Sequence, residues 1–172
     1  AKWVGPNVVI AGRHDAEPDT SRKEPLTMPT KTAEGFSAAE RAAMKARADE
    51  LRAEGKKGAK KADGLQAVLD AIAKMTPEDR ELAERVHVTV TATAPDLAPK
   101  TWYGMPAYAN ADGKVVLFFK NAAKFKERYS TLGFEAAANL DDGDLWPVAY
   151  ALVRWSPAVE KQVAELVRAA TS

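Results

Sequence analysis

Two groups of side chains carry the chemical potential of this sequence. The first lies in Glu78-Asp79-Arg80-Glu81-Leu82-Ala83-Glu84-Arg85-Val86-His87, where four carboxylates (Glu78, Asp79, Glu81, Glu84) and one imidazole (His87) share ten positions. Carboxylate oxygens are hard donors that suit iron and divalent cations, and imidazole is a common metal ligand and general base. Glu84 and His87 stand at i and i+3, the spacing of half of a helical-bundle di-metal site. That site needs a second such pair, and the sequence offers none. The same acids also read as plain helix chemistry, because carboxylates favour the positive end of a helix, and Arg80 and Arg85 dilute the charge.

The second group is aromatic. Trp102, Tyr103, Met105 and Tyr108 fall close together, and Tyr129, Trp146, Tyr150 and Trp155 follow. On a single sheet face they would form an apolar ligand site, with Lys100, Arg128 and the tyrosine hydroxyls as its polar contacts. At alternate strand positions they are equally a core beneath helices. Asp141-Asp142-Gly143-Asp144 hints at a cation loop but lacks EF-hand spacing, and Asx-turn chemistry explains it as well. Gly55-Lys56-Lys57-Gly58-Ala59-Lys60-Lys61 has no interleaved aromatic for base stacking and reads as a solvated linker. No nucleophile–base–orienter set, P-loop or dinucleotide-binding glycine pattern occurs, which argues against an enzyme.

These groups need elements to position them. Ser37 and Glu40 form a capping box ahead of an Ala-rich helix over 37–54 with a thin apolar face. A second helix, near Asp63 to Lys74, carries Leu65, Val68, Leu69, Ile72 and Met75 as a core stripe. A third begins at Thr76-Pro77, a good cap followed by a residue suited to the first helical position, and turns Leu82, Val86 and Val90 inward. Asn110-Ala111-Asp112-Gly113 then separates two strand-like runs, because Gly takes positive φ without steric cost. Val115 to Phe119 is continuously apolar, as in a central strand. In the run before the turn, Gly104 and Pro106 predict a bulge or an edge position. Further strands are expected over Phe125–Phe134 and Pro147–Trp155, and a last helix is capped by Ser156-Pro157 with Val159, Val163, Leu166 and Val167 as its stripe. The layout is α+β: an antiparallel sheet of about four strands packed against helices, with a C-terminal helix.

The motif Tyr103-Gly104-Met105-Pro106-Ala107-Tyr108, the Asp112-Gly113 turn and the apolar strand after it resemble the signature of the YdhG-like family. The resemblance runs from about Phe36 to the C-terminus, through Lys124-Phe125 and Leu140-Asp141-Asp142-Gly143. It implies a small α+β domain over residues 36–172. One branch of that family is described as a frataxin-like intracellular iron chaperone, which would assign iron to Glu78, Asp79, Glu81, Glu84 and His87. Residues 1–35 fall outside the resemblance and read as an extension or linker, with Val8-Val9-Ile10 as a strand-like piece and Met28 as the expected natural start.

Composition narrows the class. The 172 residues carry 25 basic and 24 acidic side chains, a balance that speaks against nucleic acid and supplies no acidic surface. There is no cysteine, so disulfides and thiolate ligands are excluded. No apolar run reaches the roughly 20 residues of a membrane helix, and no signal-peptide core follows a basic start. The expectation is a non-enzymatic cytoplasmic binding protein, which only the YdhG-like resemblance, and not the charge balance, would make a carrier of iron. The alternatives are a small-ligand domain using Trp102, Tyr103, Met105, Tyr108 and Arg128, or a protein-interaction module using helix 37–54. The oligomeric state is not legible.

Overall fold

The computed structural model describes residues 37–54 and 61–172. The strand-like Val8–Ile10 and the start at Met28 lie outside the described residues. Five helices and five strands follow in the order α1 (Ala38–Glu54), α2 (Lys61–Ala73), α3 (Pro77–Thr93), β1 (Ala98–Trp102), β2 (Met105–Ala109), β3 (Val115–Lys120), α4 (Ala122–Phe125), β4 (Ser130–Phe134), β5 (Ala149–Leu152) and α5 (Pro157–Thr171). The strands form one antiparallel meander, β1-β2-β3-β4-β5, each paired with its sequence neighbour. The fold is α+β with a C-terminal helix.

The sheet has five strands rather than about four because the Tyr103-Gly104 break is a full chain reversal, not a bulge. Tyr103 (φ 53) and Gly104 (φ 72) both take left-handed backbone, the geometry of a two-residue hairpin turn. Trp102 then pairs with Met105 and Thr101 with Pro106. Pro106 sits in an interior strand without cost, because pairing between β2 and β3 begins only at Ala107. The second hairpin closes as expected. Gly113 N donates to Asn110 O at 2.9 Å, and Asn110 Oδ1 accepts from the backbone N–H groups of Asp112 and Lys114.

The strand expected over Phe125–Phe134 also needs correction. Phe125 ends the short helix α4, which closes at Lys126 in left-handed backbone (φ 55), residues 127–129 form a bend, and pairing with β3 starts at Thr131. The last strand is shorter than Pro147–Trp155, spanning Ala149–Leu152.

Alternation along the strands sends Tyr108, Leu117, Phe119, Leu132 and Leu152 to one face. There they bury with Val68 and Ile72 of α2, Leu82, Val86 and Val90 of α3, and Val163 and Val167 of α5. Leu65 and Leu69 leave the expected stripe and are exposed. The cause is Gly64, which lets α2 roll onto the edge of the sheet. A Cβ built there would stand 2.2 Å from the Pro99 carbonyl oxygen of β1. On the opposite face Phe118 lies across Gly133, and Trp102 packs on Phe118 with ring centroids 5.2 Å apart.

Two effects oppose each other at Gly64. Replacing a mid-helix Gly by Ala ordinarily gains about 1 kcal/mol. Here the methyl would meet backbone that cannot swing aside, and overpacking of this kind costs about 1–3 kcal/mol or more. We expect Gly64→Ala to lower stability in urea unfolding despite its better helix propensity. A raised midpoint would show that α2 does not approach β1 this closely.

Candidate functional site

Thr76 is the N-cap of α3, and the first turn of that helix carries Glu78 and Asp79. Glu78 points to solvent, but Asp79 turns inward and is 5% exposed. Its Oδ1 accepts from Ser130 Oγ (2.9 Å) and its Oδ2 from Ala123 N (2.9 Å), with Asn121 Nδ2 at 3.5 Å. Ser130 Oγ in turn accepts from Ala122 N at 3.1 Å. One carboxylate therefore fixes the start of α4, the start of β4 and the Asn121 side chain.

Asn121 is the N-cap of α4, yet its side chain makes no capping bond. A carboxylate can only accept, so the amide must present its NH2 to Asp79 and turn Oδ1 away. Oδ1 is buried and has no hydrogen-bond partner among the described residues. A buried acceptor without a donor costs about 1–3 kcal/mol.

Asn121 lines a cleft of about 580 Å³ between α1 and α2. The helix walls mix small and charged side chains, with Ala46, Asp49 and Ala53 on one side and Ala67, Asp70, Ala71 and Lys74 on the other. Thr101, Gly104 and Lys124 line it with Asn121. Its rim is held by Glu50 of α1, whose Oε2 and Oε1 accept from the turn N–H groups of Tyr103 (3.0 Å) and Gly104 (2.8 Å). Arg47 pairs with the same carboxylate at 3.3 Å. Lys124 Nζ donates to Tyr103 O at 3.0 Å. Burial pushes the Lys124 ammonium below the ordinary lysine pKa, partly offset by the Glu50 charge. The cleft thus combines a half-desolvated cation, walls of alanine and charged side chains, and Asn121 with its unpaired oxygen buried.

The residues singled out in the sequence scatter. Glu78, Glu81 and Glu84 are exposed on α3, while Asp79 is engaged inside. No group of three or more His, Asp or Glu among the described residues is placed to hold a metal ion. His87 is half-buried, with Nδ1 2.9 Å from the hydroxyl of Tyr108 and its ring stacked on the tyrosine. Burial pushes the Tyr108 hydroxyl pKa well up and the His87 pKa down, so this is a contact between neutral groups.

The aromatics divide in the same way. Tyr108 lies in the helix-covered core, whereas Trp102 and Met105 belong to the other face. Tyr103 caps the hairpin, with the Arg47 guanidinium 5.9 Å from its ring centre. Arg128 lies over Tyr129 in the segment between α4 and β4. The sequence reading missed Glu50, Asn121 and Lys124. Only Asn121 left a local trace, as a polar residue between an apolar strand and Ala122-Ala123.

Helix α1 docks through Ala43 and the Glu50 bonds but leaves Met44 and Leu51 exposed. No described helix is long and apolar enough to cross a membrane.

The two acids of the first α3 turn should behave oppositely. Asp79→Ala strands the Ser130 hydroxyl and the Ala123 N–H and should cost about 3 kcal/mol or more in denaturant unfolding. Glu78→Ala loses only a helix-end interaction, about 0.3–1 kcal/mol. Equal losses would mean that Asp79 is not the internal anchor. His87 makes a pH-dependent contribution. Its folded pKa lies below the ordinary 6.5, so the unfolded chain takes up its proton first. The stability attached to it is complete above that value and is lost as pH falls through and below it. A wild-type unfolding midpoint that falls more steeply with acid than that of His87→Gln is the expected result.

No protein family, curated protein or solved structure matches this chain, so its function must be argued from these groups.

Proposed function

We propose that this chain is a small-molecule-binding domain and that its site is the cleft between α1 and α2. The observation that carries the reading is Asn121, which lines a cleft large enough for a small ligand and whose Oδ1 is buried and without a donor among the described residues. Asp79 fixes its direction. Oδ1 is closed to solvent, so a ligand that opens this side chain gains a bond there only if it brings a hydroxyl, amide or ammonium donor. The alanine walls leave the space open. Asp49, Glu50 and Asp70 line it together with Lys74 and Lys124, so both signs of charge stand along it, which suits a polar or zwitterionic molecule better than an apolar one.

This reading keeps the binding class expected from the sequence and moves the site from the aromatic residues and the α3 acids to the hairpin tip. Kinship with the YdhG-like domains, proposed on Tyr103 to Tyr108, places the same hairpin at the centre. An iron carrier built on α3 would have Glu78, Glu81 and Glu84 as its exposed carboxylates, because Asp79 is occupied.

The test is a titration of the isotope-labelled chain with a panel of small amines, amides and alcohols. Hits should shift the Asn121 side-chain amide together with the backbone amides of Thr101 and Gly104. Asn121→Ala should weaken a hit about tenfold, the value of one well-made hydrogen bond to a buried acceptor. Hits that map elsewhere, or an affinity indifferent to Asn121, would remove the proposal.

A further inference from the structure

The charged side chains along the cleft are not equally occupied. Its three acids already have partners. Asp49 pairs with Arg52 at 2.7 Å, Glu50 holds Arg47 and the two turn N–H groups, and Asp70 accepts from the Gln66 amide at 2.9 Å. The two cations do not. Neither Lys74 nor Lys124 enters an ion pair among the described residues. Lys74 is exposed just past the end of α2, whereas Lys124 is half-buried. Gly104 makes the room for its head, because a Cβ there would stand 2.5 Å from Nζ. An ammonium has three N–H donors, and Lys124 gives one to Tyr103 O. The others have no acceptor among the described residues. Burial strips water from this charge, and the Glu50 carboxylate replaces it only in part, which is why the Lys124 pKa lies below the ordinary lysine value.

We infer that the cleft takes a small monoanionic carboxylate, of the hydroxy-acid or amino-acid class, whose charged oxygens accept from Lys124 Nζ. The inference rests on the cleft being the ligand site and adds the charge of the ligand. A carboxylate returns to a half-desolvated ammonium the counter-charge it lacks and uses the N–H groups that Tyr103 O leaves over. An apolar ligand would take further water from Lys124 and give nothing back. A phosphate fits less well for two reasons. The paired turn N–H groups that would cradle it are filled by Glu50. Its second negative charge would also face Asp49, Glu50 and Asp70, with only Lys74 left to offset them. The donor called for at Asn121 belongs to the same molecule, so the simplest members of the class carry one hydroxyl or amino group beside the carboxylate.

Lactate and lactamide isolate the charge, because they match in size and in the hydroxyl and differ in the anionic group. Each is titrated into the isotope-labelled full chain and followed at the Asn121, Thr101 and Gly104 amides. Lactate should bind about fivefold tighter than lactamide, the upper value for a partly exposed ion pair. Lys124→Met should abolish that preference. A second readout needs no variant and holds even where Lys124→Met loosens the hairpin. Lactate favours the ammonium, so it should raise the Lys124 pKa, and the Lys124 Cε resonance should titrate at higher pH in the bound chain. Lactate affinity should correspondingly fall as pH rises through the Lys124 pKa of the free chain. If the cleft amides shift but lactamide binds as tightly as lactate, the inference is overturned and the cleft stands as a neutral-ligand site. A Lys124 resonance that bound lactate leaves unmoved has the same meaning. If neither compound moves the cleft amides, the cleft reading falls and the inference falls with it.

Discussion

The arrangement of this fold depends on how one buried carboxylate is satisfied. Among the described residues no cation pairs with Asp79. Its oxygens take a hydroxyl, a backbone N–H and an amide, from Ser130, Ala123 and Asn121. It also sits in the first turn of α3, where the helix leaves its own N–H groups unpaired and the local field favours negative charge. Removing a charge from water without such partners would cost several kcal/mol, so the geometry around it is strongly determined. That determination passes outward. It ends β3, forces the α4 turn, starts β4 and leaves Asn121 with one direction in which to aim its oxygen.

A second carboxylate works differently at the other end of the cleft. Glu50 accepts the two N–H groups that the left-handed Tyr103-Gly104 backbone points away from its own hairpin. Successive outward N–H groups form a small anion-binding concavity. Here a side chain from α1 fills it. The thin apolar face of α1 is thus supplemented by a charge-assisted contact, worth more per bond than a neutral one. This explains how a helix with Met44 and Leu51 in solvent still has a fixed place over the turn.

Much of the architecture was legible because it rests on local chemistry. Ser37 and Glu40 do exchange capping bonds, Asn110 to Gly113 does close a hairpin, and Val68, Ile72, Val86 and Val90 do form the core. The errors arose where a long-range contact outweighs local pattern. Leu65 and Leu69 fit a helical stripe, but the approach of Gly64 to Pro99 rotates them out. Phe125 to Phe134 alternates like a strand, yet its first residues close and leave the α4 turn, whose Ala123 is pinned by Asp79, 44 positions earlier. The cleft was illegible for the same reason. Glu50, Asn121 and Lys124 are ordinary polar residues in sequence, and only the hairpin reversal brings them together. The acids on α3 looked like a cluster because sequence proximity ignores that successive helical positions point in different directions.

The cleft also stands at one end of the strand order. It includes Thr101 of β1, whereas β5 closes the order at the other end. Strands in a sheet lie about 4.8 Å apart, so four steps put the two roughly 19 Å apart across the sheet. No side chain bridges that distance, and any coupling between them would have to pass through the sheet as a change between two discrete arrangements. The paired ladders from β2 to β5 leave little room for one, with their single irregularity at Tyr108/Ala109. A ligand in the cleft would therefore be felt by α1, α2 and the hairpin tip that line it, and not by β5.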